Sequence, residues 1–289
     1  MDALELLGTR PLVVLTGAGL STDSGIPDYR GPDSPPRQPM TYDEFVSGPG
    51  AQQRYWARSH LGWTRMGAAV PNDGHRAVAA LGADLVITQN VDGLHEASAT
   101  PRVVALHGRI ADVVCLECRR TSPRAALQER LGAANPGWLE RHRAAPVRPD
   151  GDVELDDTAD FVVPGCDGCG GVLKPDVVFF GENVPPDRVA RCYAAVDALA
   201  DSGGAILVAG SSLTVMSGLR FVKRAAKLGV PVVIVNRGPT RGDDLATYRL
   251  DVGTSEWLPR LAAVRNPRST GETGTSMVLQ DHGSEGIPG

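Results

Sequence analysis

The 289-residue chain has no long hydrophobic run and no surplus of positive charge. Its first apolar stretch, PLVVLTGAGL, falls far short of the roughly 20 residues a membrane-spanning helix requires and breaks at glycines. No membrane span is expected. The formal net charge is -5 and the isoelectric point is near 5.7. A free-standing nucleic-acid binder would carry a clear basic excess, so stable nucleic-acid binding is not expected. Lysine is scarce, 3 residues against 26 arginines. With abundant Ala, Gly and Pro, this reads as the compositional bias of a GC-rich bacterial genome. The first residues, MDALELLGTR, lack both the acid-free basic character of a transit peptide and a signal-peptide cleavage pattern, so a cytoplasmic location is expected.

Cysteine is also sparse, and five is an odd number for a secreted disulfide framework. Four of the five form two C-x-x-C pairs, Cys115/Cys118 and Cys166/Cys169. Five cysteines placed at random in this length would give only about 0.07 pairs at that separation, so two pairs are a strong metal signal. Four thiolates make a closed tetrahedral zinc site with no position open for catalysis. One structural zinc ion is therefore expected. Cys192 stands alone in a helical pattern and reads as a packing residue.

Short β-branched runs at 11–17, 83–90, 204–210 and 230–236 each end in a polar or glycine-rich turn, as parallel strands buried on both faces do. Helical patterns lie between them, including 75–82 and 217–229, the latter closed by Gly229. The alternation predicts an α/β fold with a Rossmann-like doubly wound sheet. Residues 1–37, 75–112 and 174–265 are assigned to it. A smaller inserted domain comprises a helical module at 38–74 and a zinc-binding module at 113–173. The polar, aperiodic residues 266–289 read as a disordered tail.

The first strand runs into GAGLSTDSGIPDYR (17–30), where Gly17, Ala18 and Gly19 let backbone N–H groups approach a phosphate. Gly25 comes too late for the dehydrogenase G-x-G-x-x-G spacing, and the acidic ribose ligand of those enzymes is missing. After the second strand, TQNVDGLH (88–95) places Gln89, Asn90 and Asp92 where open α/β sheets bind ligands. His107 follows in LHGRI. Taken alone, such a His is more often a packing residue than a base.

These motifs, with VAGSS and VIVNRG, occur in the order found in the sirtuin family, which the chain resembles from about residue 11 to 262. QRYWARSHLGW (53–63), PDVVFFGENV (175–184) and GPTRGDDLA (238–246) resemble the class II members, the sirtuin-4 type. The resemblance implies an NAD-dependent protein lysine deacylase that consumes NAD as a co-substrate, with acyl-lysine proteins or peptides as partners. In that mechanism the acyl oxygen attacks C1′ of the nicotinamide ribose and nicotinamide leaves. His107 is then the general base for a ribose hydroxyl, and 2′-O-acyl-ADP-ribose results. His107 and Asn90 are the catalytic residues implied. Gly17, Ala18, Gly19, Asp28, Tyr29, Arg30, Gln89, Asn90, Val91, Asp92, Gly210, Ser211, Ser212, Asn236, Arg237, Gly238 and Thr254 would bind the cofactor. Tyr55 and Arg58, three apart on one helical face, match the Tyr-x-x-Arg pair with which some members bind the carboxylate of acidic acyl groups. On sequence alone, an Arg packed beside Trp56 explains them as well. Mono-ADP-ribosyl transfer to protein is the alternative activity, because the same C1′ electrophile can meet another nucleophile.

Overall fold

Nine strands form among the residues described by the computed structural model, 2–28, 39–66, 69–142 and 158–267: β1 (Leu12–Thr16), β2 (Leu85–Thr88), β3 (Val103–Ala105), β4 (Gly108–Cys115), β5 (Thr121–Pro123), β6 (Leu173–Val177), β7 (Ala205–Ala209), β8 (Val232–Val235) and β9 (Tyr248–Leu250). Tyr29, Arg30 and residues 268–289 of the expected tail lie outside the described residues. No described helix is long and apolar enough to cross a membrane.

Six strands pair in parallel in the order β3-β2-β1-β7-β8-β9. Counted within the sheet, this is the doubly wound order 3-2-1-4-5-6, with its switch point between β1 and β7. The strands read as unbroken apolar runs because helices cover both faces. Alternate side chains point to opposite sides. Val13, Leu15, Ile206 and Val208 pack with Cys192, Val196 and Leu199 of helix Pro186–Ser202 and with Leu219 and Val222 of helix Met216–Lys227. Val14, Val86, Leu207 and Val233 pack with Ala77 and Val78 of helix Asp73–Ala80 and with Trp257, Leu258 and Leu261 of helix Thr254–Arg265. Cys192 is fully buried, as a packing residue should be.

Between β3 and β7 the chain leaves this sheet and builds a three-stranded antiparallel one, β5-β4-β6. A separate core holds it to helix Pro49–Met66: Trp56, Val113, Leu127, Trp138, Phe161 and Leu173 pack together. The indole N–H of Trp56 donates to the Leu173 carbonyl at 2.9 Å. The helical and cysteine-bearing segments therefore share one interior. The expected divisions at 112/113 and 173/174 fall inside β4 and β6, which pair with each other.

The edge strands β3 and β9 and the helix Thr254–Arg265 are absent from the sequence reading, which saw helix Pro186–Ser202 only as the helical pattern around Cys192. Helix Thr254–Arg265 contains Pro259 in its interior. Proline removes one backbone donor there, and burial of Trp257, Leu258 and Leu261 in the core offsets the loss.

Candidate active site

A cleft of about 840 Å³ opens at the carboxyl ends of β1, β2, β7 and β8, bounded on the other side by helix Pro49–Met66 and by residues 177–182 after β6. This is where an open α/β sheet leaves room for a ligand. Its floor is the turn after β1 locked to the turn after β7. The Gly19 N–H donates to the Gly210 carbonyl at 2.8 Å. A Cβ on Gly17 would stand 2.7 Å from Ser211 Cβ and 2.8 Å from the Gly210 oxygen, so only glycine allows this approach. Gly210 has φ +65, the left-handed region that disfavours other residues.

Gly17, Ala18, Gly19, Asp28, Gln89, Asn90, Val91, Asp92, His107, Gly210, Ser211, Ser212, Asn236, Arg237 and Gly238 all line this cleft, and so do Tyr55 and Arg58. Thr254 does not. It is buried at the start of its helix, with its hydroxyl donating to the Gly19 carbonyl at 3.4 Å from behind the turn.

Hydrogen bonds fix what each polar group can offer. The Asn90 side-chain N–H groups donate to the Gly17 carbonyl and the Ser21 hydroxyl, both at 3.0 Å. Its amide oxygen therefore remains to accept from a ligand hydroxyl or a water. Asp92 accepts from the Ser21 hydroxyl at 2.7 Å and from the Leu94 N–H at 3.0 Å. A carboxylate has about four acceptor sites, so roughly two stay open for a carboxamide NH₂. Ser211 is buried. Its hydroxyl donates to Gln89 Oε1 at 2.7 Å and accepts from the Leu213 N–H at 3.2 Å, so that side chain braces the floor. Asn236 spends its NH₂ on the Arg237 and Gly238 carbonyls, at 2.8 and 3.1 Å.

His107 keeps one edge open to the cleft while protein surrounds most of its ring. Its Nδ1 lies 2.9 Å from the Gln89 carbonyl oxygen and its Nε2 2.8 Å from the Ser217 hydroxyl. A carbonyl can only accept, so Nδ1 carries the proton. The neutral ring then presents Nε2 as a base. Burial holds its pKa below the ordinary 6.5, the Gln89 carbonyl opposes that shift, and the Arg188 charge adds to it. Deeper behind the cleft, His95 is pushed down to about 3 by burial and by His75, which marks it as a neutral packing residue bonded to Thr16.

At the helical end of the cleft, Tyr55 packs edge-on against Phe45 and Trp56. Arg124 is fully buried between the rings of Trp56 and Trp63, at 5.2 and 4.7 Å from their centroids. Its Nε and Nη1 have no hydrogen-bond partner among the described residues. Burial lowers its pKa to about 10, which leaves the guanidinium charged at neutral pH. Residues 177–182 are tied by buried Lys174. Its ammonium pairs with Glu182 at 3.1 Å and donates to the Pro175 and Val177 carbonyls, while Glu182 accepts from the Phe179 N–H at 2.9 Å. Ser21, Ser217, Arg124 and Lys174 are not picked out by sequence, since an isolated Ser, Arg or Lys has no spacing to mark it.

The four paired cysteines converge away from the cleft. Their Sγ atoms all lie within 4.8 Å of one another, with Cys115–Cys169 at 3.5 Å and Cys118–Cys166 at 3.8 Å. Tetrahedral zinc with Zn–S bonds of about 2.3 Å separates its sulfurs by about 3.8 Å, so the four thiols fit that ion. Backbone N–H groups, first that of Arg120, hold the exposed Cys118 thiol below its ordinary value, whereas burial pushes Cys115 up to about 12.

A sequence model of the Sir2 family matches residues 17–217. The NAD-dependent protein deacetylase 1 of Mycobacterium avium (strain 104) is 52% identical over 276 residues, covering 93% of this chain and 96% of its own. The protein of the same name from Streptomyces coelicolor is 55% identical over 257 residues, 86% and 83% of the two chains. Among solved structures, a Sir2 complex with a p53 peptide and NAD+ aligns with TM-score 0.69 at 31% identity, covering 89% of this chain and 95% of that one. A Sir2Tm structure with a propionylated peptide aligns at TM-score 0.67 and 30% identity, covering 89% and 94%. A match over most of the chain, relatives at about half identity along nearly their full length, and the strand order around this cleft make the chain a member of the Sir2, or sirtuin, family.

Proposed function

We propose that the protein is an NAD-dependent protein lysine deacylase, moving the acyl group from acyl-lysine to ADP-ribose with release of nicotinamide. The observation that carries this reading is His107. It is a neutral imidazole with its base nitrogen facing a cleft that also presents the Asn90 oxygen and the open side of the Asp92 carboxylate. The glycine turns after β1 and β7 suit the pyrophosphate, and Asn236 and Arg237 after β8 suit the adenosine end. Asp92 takes hydrogen bonds from the nicotinamide carboxamide. Once nicotinamide has left, His107 Nε2 accepts a proton from a ribose hydroxyl, a role that matches an imidazole near neutral pH. No hydride moves. Cys115, Cys118, Cys166 and Cys169 would hold a zinc ion with no open coordination position, which would staple the small domain and leave the chemistry to the cleft. Four reduced thiols suit a cytoplasmic, reducing setting.

The relatives named as deacetylases, and the neighbouring structures with acyl peptides, favour deacylation over mono-ADP-ribosyl transfer. For the acyl group, the helical end of the cleft offers Tyr55 and Arg58, a setting for a chain that ends in a carboxylate. On this reading the protein would be a class II member. Incubation with NAD and an acyl-lysine peptide should release nicotinamide and free lysine in equal amounts. Nicotinamide release with ADP-ribose fixed on protein, and the peptide still acylated, would favour the transferase.

A further inference from the structure

Lys174 lies in β6, buried and outside the lining of the cleft. A buried ammonium is costly unless it is paired and hydrogen-bonded. All three of its N–H bonds have an acceptor, and every acceptor belongs to the run 175–182: the Pro175 carbonyl at 3.1 Å, the Val177 carbonyl, and the Glu182 carboxylate at 3.1 Å. The same Glu182 oxygen accepts from the Phe179 N–H at 2.9 Å. The knot closes on itself, because the ammonium also stands 4.6 Å from the centre of the Phe179 ring, a cation–π distance.

What the knot holds is a wall of the cleft. Val177, Val178, Phe179 and Phe180 form a continuous apolar stretch of the lining. Toward one end of it the Val178 N–H donates to the His107 carbonyl at 2.8 Å, and at the other the Phe180 carbonyl accepts from the Tyr42 N–H at 2.9 Å. Between these ties the Phe179 ring packs on Phe45 and Tyr55, with centroids 5.4 and 5.3 Å apart. The stretch therefore runs from the backbone of His107 to the helical module, and Lys174 with Glu182 fixes its middle.

We propose that Lys174 is a positioning residue for the substrate: by way of Glu182 and Phe179 it holds the apolar wall on which the methylene chain of an acyl-lysine lies. The proposal rests on the deacylase reading of the cleft. A lysyl chain is apolar up to its amide, and it gains most from a wall that is already in place when it arrives. Without the ammonium, two carbonyls and a carboxylate lose their common donor. The Glu182 side chain is 26% exposed, so its carboxylate then turns toward water and draws the Phe179 N–H with it. The nucleotide end keeps its shape, because the turns after β1, β7 and β8 are locked by hydrogen bonds of their own.

The test separates the two ends of the cleft. Lys174→Met, close in length but uncharged, should lower kcat/KM for an acetyl-lysine peptide roughly 10-fold, the lower end of the worth of a charge-assisted hydrogen bond. NAD affinity, measured without peptide, should stay near wild type. Glu182→Gln keeps an acceptor for the Phe179 N–H and should cost less. The double variant should be no worse than Lys174→Met alone, because the two side chains act as one pair. Unchanged peptide kcat/KM in Lys174→Met, a parallel loss of NAD affinity in a folded variant, or losses that multiply in the double variant would each overturn the assignment. If Lys174→Met does not fold, Glu182→Gln decides alone, and wild-type peptide kcat/KM there overturns it too. His107→Ala is the control on the underlying reading, with an expected loss of about 10²- to 10⁴-fold in acyl transfer. If that variant keeps wild-type transfer, His107 is not the base, whatever Lys174 does.

Discussion

Removing the proton acceptor by pH is a finer probe of His107 than removing the side chain. Burial keeps this imidazole below its ordinary pKa of 6.5, so the folded enzyme holds it neutral where the free side chain would already be charging. The base form is present above the folded pKa and is lost as pH falls through it. The kcat/KM profile should therefore stay level down to about pH 6.5 and decline only below that. An acid limb centred at or above pH 7 would contradict the geometry. Arg58 can be tested on its own. If it holds a terminal carboxylate in the transition state, Arg58→Met should cut activity on succinyl or glutaryl peptides by about 10- to 150-fold, the worth of a charge-assisted contact of roughly 1.5 to 3 kcal/mol, and leave acetyl peptides nearly unchanged. Equal losses on both would make Arg58 a packing residue. A wild type that ignores acidic chains would remove the carboxylate pocket.

The elements show what a sequence can and cannot announce. Strands covered on both faces are continuous apolar runs, so 11–17, 83–90, 204–210 and 230–236 locate β1, β2, β7 and β8 to within one or two residues at each end. Three-residue edges such as β3 and β9 have no period to detect. Helix Thr254–Arg265 hides behind Pro259, because tertiary burial overrides a local breaker. Site residues at strand ends are legible for the same topological reason as the strands. Ser217 and Arg124 become visible only when the ring they touch is placed. The zinc site belongs to this scale as well. Cys166 and Cys169 sit in a turn beside β6, and Cys115 ends β4, so an ion held by them would staple the segments flanking the small sheet. Structural zinc contributes roughly 10 to 16 kcal/mol in small zinc peptides. Cys166→Ser should drop the metal content from one zinc per chain toward none and melt the core around Trp138 and Phe161, with activity lost as a consequence. Full zinc content in that variant, or none in the wild type, would refute the site.

Across the whole molecule, His60, His75, His95 and His107 all have pKa values held down, by burial first in each case. An unfolded chain takes up protons near pH 6.5 that these folded residues refuse. The stability they contribute is therefore full above about pH 6.5 and is lost as pH falls through their folded values. The Tm should drop on moving from pH 7 to pH 5, and a Tm that rises over that interval would show the four side chains charged in the fold. The sheet, the cleft at its switch point and the zinc-stapled lobe are one arrangement for bringing an acyl-lysine against C1′ of NAD. The measurement that tests this most directly is the mass of the acyl-bearing product after incubation with NAD and an acetyl-lysine peptide. The account predicts acetyl-ADP-ribose, formed one for one with nicotinamide and free lysine, whereas free acetate with NAD left intact would contradict it.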